Sequence, residues 1–181
     1  MSSKKEDILK AAEHLFYEYG FKGVGIKQII QEADVANMTL YNHFSSKEQL
    51  VEEVLKQREK RYWSYLDRFT EEETVSPYLN AVKAHGMWLE EESYQGDMFL
   101  RAIEDYAGAN NEIEHIARSH KQNLLTYFTK LAQRVEKDTH EEDLPHYFTL
   151  LLEGTTSMTT LIGAKKATEY ALKIAEKMVS S

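Results

Sequence analysis

The sequence predicts an all-α protein of about nine helices, and three observations carry that expectation. Apolar residues recur at three- and four-residue spacing from end to end, strand-type alternation is nearly absent, and Ser, Gly and Pro fall where helices should start or stop. Only two prolines interrupt the chain, and 42% of its 181 residues are hydrophobic, enough for a substantial core.

The first helix carries the stripe Ile8, Ala11, Ala12, Leu15, Phe16 and Tyr19, closed by Gly20. A second, from about Ile26 to Ala33, buries Ile26, Ile29 and Ile30. The third lies in DVANMTLYNHF, with Leu40 and Phe44 four apart on one face. A fourth, about residues 46–68, begins at SSKE, where Ser45 and Glu48 match a capping box, and runs through Val54, Leu55, Tyr62 and Leu66. After TEEETVSP, Ser76 and Pro77 make an N-cap and first-turn pair for a fifth helix bearing Leu79, Val82, His85, Gly86 and Leu89. A sixth spans about Asp97 to Ala107 before Gly108, and a seventh about Glu112 to Lys137. The eighth runs from about Leu144 to Ile162, where Gly163 breaks it, and the ninth passes through Tyr170, Ile174 and Met178.

Composition excludes several classes. There is no cysteine, so disulfides and thiolate metal sites are ruled out. No apolar run approaches a membrane span, and the start, MSSKKEDILK, lacks a signal peptide's apolar core, which predicts a soluble cytoplasmic protein with no membrane partner. No HExxH, Walker loop, GxSxG or dinucleotide fingerprint is present, so no catalytic residue and no cofactor is expected. The best group of metal-type ligands, His140, Glu141, Glu142, Asp143 and His146, has consecutive acids, as a solvated turn does, and no metal site is expected there. The net charge of −8 is unevenly spread. Residues 1–61 hold ten of the 22 Lys/Arg and ten of the 30 Asp/Glu, so the acidity lies wholly beyond them. A neutral N-terminal module can still gather its lysines on one side.

The second and third helices are joined by ADVA. Ala33 permits close approach, Val35 can plug the turn, and Asp34 tolerates a left-handed backbone better than most residues. This is the arrangement of a helix-turn-helix, whose second helix enters the DNA major groove. With Leu40 inward, Met38 and Asn42 point most directly outward, Thr39 and Tyr41 flank them, and Asn37 leads. Asn amides read base edges, Thr and Tyr hydroxyls bind phosphate, and Met38 suits a thymine methyl. Lys47 and the free N–H groups of the fourth helix add phosphate contacts. The alternative is the merely solvated face of a core helix.

The stretch GFKGVGIKQIIQEADVANMTLYNHFSSKEQL resembles the DNA-binding region of the tetracycline-repressor (TetR) family. Thr39-Leu40-Tyr41, His43-Phe44, Ser46-Lys47-Glu48 and Leu50 carry the resemblance, with LFYEYGF as the usual lead-in. It covers about residues 5 to 55 and implies DNA contacts at Lys27, Asn37, Met38, Thr39, Tyr41, Asn42, His43 and Lys47. It also implies a helix-turn-helix domain over 1–48, a long fourth helix as linker, and a helical effector-binding and dimerisation domain over 49–181. The chain departs from the family pattern at Gly25 and Ala36, where Ser or Thr is usual, and at Met38, where a small residue or Pro is common. Each missing hydroxyl cap is worth roughly 1 kcal/mol, and Asn37 becomes the candidate cap of the third helix.

In the C-terminal part, Leu151, Gly154, Met158 and Leu161 of the eighth helix, with Tyr170, Ile174 and Met178 of the ninth, form a candidate dimer face, Gly154 allowing close approach. Twofold symmetry would match a palindromic operator. Trp63, His85, Trp88, Phe99, Tyr106, His120, Tyr127, Phe128 and Tyr147 are candidates to line a pocket for a small lipophilic or aromatic effector, although aromatic stripes are also plain core. The function expected is a ligand-responsive repressor binding double-stranded DNA as a homodimer. The alternatives are a regulator answering to a protein partner or acting as an activator, and a helical adaptor or enzyme.

Overall fold

The computed structural model describes residues 3–69, 76–108, 112–135 and 143–180. The described residues form nine helices and no strand: α1 (Lys4–Tyr19), α2 (Ile26–Glu32), α3 (Asn37–His43), α4 (Lys47–Phe69), α5 (Pro77–Glu91), α6 (Met98–Tyr106), α7 (Glu112–Val135), α8 (Leu144–Ile162) and α9 (Ala164–Val179). None of these helices is long and apolar enough to cross a membrane. The chain packs as two units, Met1–Glu59 with Met98–Ser119, and Lys60–Asp97 with His120–Ser181.

In the first unit α1 is the central rod. Ser3 Oγ accepts from the Glu6 N–H (3.3 Å) while the Glu6 carboxylate accepts from the Ser3 N–H (3.0 Å), a reciprocal cap. Ile8, Ala12 and Phe16 of α1 are fully buried, with Phe21, Ile29, Leu40, Leu50, Val51 and Leu55. Met98, Phe99 and Ala102 of α6, and Ile113, Ile116 and Ala117 of α7, complete the same core. Ile26 and Ile30 are only half-buried against it, so Ile29 alone of the three anchors α2 fully.

Two caps differ from expectation. The start of α4 uses Ser46, whose Oγ accepts from the Gln49 N–H (3.1 Å), while Gln49 Oε1 accepts from the N–H and hydroxyl of Ser45 (2.6 and 2.9 Å). The pair is therefore Ser46 with Gln49, one residue on from Ser45 with Glu48. Ser76 precedes α5 as N-cap with Pro77 in the first turn, but its side chain makes no capping bond.

The second unit packs α5 into α8 and α9. Its core holds Tyr62, Leu66, Tyr78, Leu89, Leu124, Phe128, Phe148 and Leu152. Tyr78 stacks on Phe148 at 4.6 Å and Phe148 on Phe128 at 5.5 Å. At Gly86 a Cβ atom would stand 2.2 Å from Thr168 Cγ2, so the crossing of α5 and α9 has room only for hydrogen. Gly154, the expected close-approach residue, has open space around it.

Candidate nucleic-acid interface

Local sequence builds the helix-turn-helix. The Ala33 N–H closes α2 on Ile29 O (2.9 Å), Asp34 takes φ 48°, and the Val35 N–H returns to Ile30 O (3.1 Å). Val35 is half-buried against the core, as a turn plug should be. Seven residues are too few for a self-supporting helix, so α3 depends on its anchors. Leu40 is fully buried, Phe44 nearly so, and the Phe44 N–H closes the helix on Leu40 O (2.9 Å).

The rest of α3 faces outward. Met38 is 69% and Tyr41 48% exposed, and Asn37, Asn42 and His43 are exposed beside them, with Thr39 half-buried. Burial of large apolar groups stabilises a fold by roughly 1.5–3 kcal/mol each, so an uncovered Met and Tyr on one short helix contribute little to this chain's own stability. Lys27 is exposed on α2. Lys47 is half-buried, its Nζ 6.0 Å from the centre of the Phe16 ring. Lys5, absent from the sequence-based set, has its Nζ 5.7 Å from the Phe44 ring at the end of α3.

The departures from the family pattern have structural answers. Gly25 caps α2 without a side chain, its N–H donating to Gln28 Oε1 at 2.7 Å. Ala36 is the N-cap of α3 and makes no side-chain bond. Asn37 is the first helical residue, not the cap expected of it, and its amide remains on the outer face.

The second unit divides the pocket candidates. Trp63, His85, Trp88, His120, Tyr127 and Phe128 belong to it, and several converge on Tyr62. The ring of Tyr62 meets Trp63, His85, Trp88 and His120 edge-on, at 5.1–5.9 Å between centres. Phe99 and Tyr106 are not among them: Phe99 is buried in the first unit's core, and Tyr106 packs edge-on to Phe21 there at 6.0 Å. Tyr147 is 44% exposed on α8. His140, Glu141 and Glu142 lie outside the described residues, and Asp143 and His146 are exposed.

Polar groups missed in the sequence order this region. Thr156 Oγ1 donates to Leu152 O (3.0 Å), so it accepts from His85 Nε2–H (3.0 Å), which leaves Nδ1 to accept the Tyr62 hydroxyl (3.1 Å). Lys121 reaches Asp97 and both carboxylate oxygens of Glu153, at 2.9 and 2.7 Å for the latter. Burial alone would lower the Lys121 pKa, but the two carboxylates more than offset it, and the ammonium is held. Burial, with the nearby Lys121 charge, pushes His85 down to about 3 from the usual 6.5. The unfolded histidine therefore binds a proton that the folded one refuses. Stability is full above the unfolded pKa and falls with pH towards about 3. We expect a loss of about 2 kcal/mol between neutrality and about pH 5 from this group, read by urea melts and flattened in His85→Gln.

The outer face of α8 and α9 is apolar. Leu150 is 69%, Met158 42%, Leu161 76%, Tyr170 50% and Ile174 49% exposed; Leu151 and Met178 are half-buried. Between the helices runs a groove of about 350 Å³ lined by Leu150, Leu151, Met158, Tyr170 and Ile174, with Gly154 and Ala167 among others. Large apolar side chains thus stand open to solvent on these two helices.

Residues 8–54 match the profile of the bacterial regulatory proteins of the tetR family. Among curated relatives, the transcriptional repressor KstR2 of Mycolicibacterium smegmatis is 38% identical over 55 residues, 30% of this chain and 27% of that one. The matched stretch is thus little more than a quarter of that relative's length. The uncharacterised transcriptional regulator YvkB of Bacillus subtilis is 26% identical over 137 residues, 74% of this chain and 70% of that one. A TetR-family regulator from Streptomyces coelicolor superposes with TM-score 0.87 at 23% identity, covering 96% of this chain and 93% of that one, which establishes a shared fold.

Proposed function

We propose, from the match of residues 8–54 to the profile of the bacterial regulatory proteins of the tetR family, that the chain is a regulator of that family that represses transcription as a homodimer on a palindromic operator and releases it on binding a small effector. The observation that carries this reading is the outer face of α3, where an uncovered Met38 and Tyr41 stand among amide groups while Leu40 is fully buried. Asn37 and Asn42 suit adenine edges and Met38 a thymine methyl, whereas Thr39, Tyr41, His43, Lys27 and Lys47 suit phosphate.

The apolar faces of α8 and α9 support the dimer. Two copies joined there make a four-helix seam with twofold symmetry, which a palindrome mirrors. Recognition helices must then stand roughly 34–36 Å apart to enter successive major grooves. An effector held among Trp63, Trp88, His120 and Tyr127 would be lipophilic or aromatic. It shifts the equilibrium only by fitting the DNA-incompetent arrangement better than the competent one.

The test uses a duplex enriched by the wild-type protein from a random-sequence pool. Tyr41→Phe with Lys47→Ala is expected to weaken binding roughly tenfold or more and to lower the salt slope by about 1. Unchanged affinity and slope would remove both residues from the phosphates, and failure to enrich any duplex would end the DNA-binding reading.

A further inference from the structure

The C-terminus of α1 lacks what such a terminus needs. Its last turn contains no basic residue, so no side chain of that turn offers a cation to the negative end of the helix dipole and its free carbonyls. The missing cation comes from 84 residues away. Arg101 of α6 donates through Nη1 to Tyr17 O at 2.6 Å and lies 3.4 Å from Phe16 O, the carbonyl that also accepts the closing Gly20 N–H (3.0 Å).

Other contacts fix the same place. The guanidinium carbons of Arg58 and Arg101 lie 4.9 and 5.9 Å from the Tyr17 ring centre, and Tyr17 is buried. Beyond Gly20, Phe21 packs edge-on to Tyr106, and Lys22 pairs with Asp105 at 3.8 Å. Both partners belong to α6. The connection from α1 into α2 follows a path that only glycine allows at two points: Gly20 holds φ 76°, and a Cβ on Gly23 would stand 2.6 Å from Tyr19 O. Whatever holds α6 therefore sets the point from which the helix-turn-helix departs.

We propose that Arg101 is a positioning residue for DNA recognition: it caps α1 from α6 and so sets the orientation of α2 and α3, without touching DNA itself. This rests on the DNA-binding reading above and adds to it a residue outside the helix-turn-helix.

The experiment compares wild type, Arg101→Met and Arg101→Lys on the duplex enriched by the wild-type protein. Arg101→Met keeps the side chain's apolar stem and is expected to bind about tenfold more weakly with the salt slope unchanged, since no phosphate contact is lost. Arg101→Lys, which keeps one charged donor, is expected to recover part of that affinity. Amide exchange should quicken at Gly20–Val24 and in α2 in the methionine variant while α8 and α9 are unaltered. Wild-type binding by Arg101→Met overturns the proposal and leaves the DNA reading intact. So does a reduced salt slope, which would make Arg101 a phosphate contact, or an affinity loss that merely follows the melting temperature in both variants. If the wild type enriches no duplex, the reading and the proposal fall together.

Discussion

Placing glutamate at Leu161 and Ile174 together is expected to yield a folded monomer with operator affinity reduced about a hundred- to ten-thousandfold. Both side chains are largely solvent-exposed within one chain, at 76% and 49%, so neither substitution opens a cavity in the core. Across a twofold axis each new carboxylate would meet its like in an apolar seam, where an unpaired charge is expensive. The loss on DNA is large because a dimer binds its second half-site intramolecularly, and a monomer forfeits that effective concentration. Light scattering reads the mass, circular dichroism the fold, and gel shift the affinity. A double variant that remains dimeric and binds as before removes α8 and α9 from the interface.

The second large effect concerns stability. Glu13→Ala is expected to destabilise the protein by about 1.5–3 kcal/mol, the worth of a hydrogen bond to a charged group, measured by urea unfolding. The Arg58 side chain is 3% exposed and its Nη1 lies 2.9 Å from Glu13 Oε1, so the substitution leaves a guanidinium buried without that carboxylate. Replacing the pair together, with methionine at both positions, should cost much less, because the desolvated charge goes with its partner. Equal losses in the single and double variants would show that the packing of the stems matters and the ion pair does not.

What was legible in the sequence was local. Leu40 and Phe44, four apart, announced the buried side of α3, and Asp34 in a short connection announced its left-handed turn. Helix ends at Gly20 and Gly163 were readable for the same reason, since both take positive φ. The cap of α4 slipped by one residue because two adjacent serines precede it and only the backbone decides which becomes the N-cap. Partners distant in sequence were not legible. Arg58 falls four residues after Val54 and four before Tyr62, in line with an apolar stripe, which signals burial but not the acceptor on α1. Phe99 and Tyr106 were grouped with the other aromatic residues by type, whereas topology puts Phe99 in the first unit's core and Tyr106 beside Phe21. The tight crossing at Gly86 was not legible either, because close approach depends on the facing helix.

The first unit is assembled from two separated stretches of chain, ending at Glu59 and Ser119. During synthesis its leading segment emerges long before Met98, Phe99 and Ile113 exist to cover it, so this unit stays unfinished until well past the chain's midpoint. For anyone grafting this unit onto another protein, a cut after α4 would carry α2 and α3 away from part of their own foundation. The transplantable piece has three junctions to splice, after Glu59, before Met98 and after Ser119, not one.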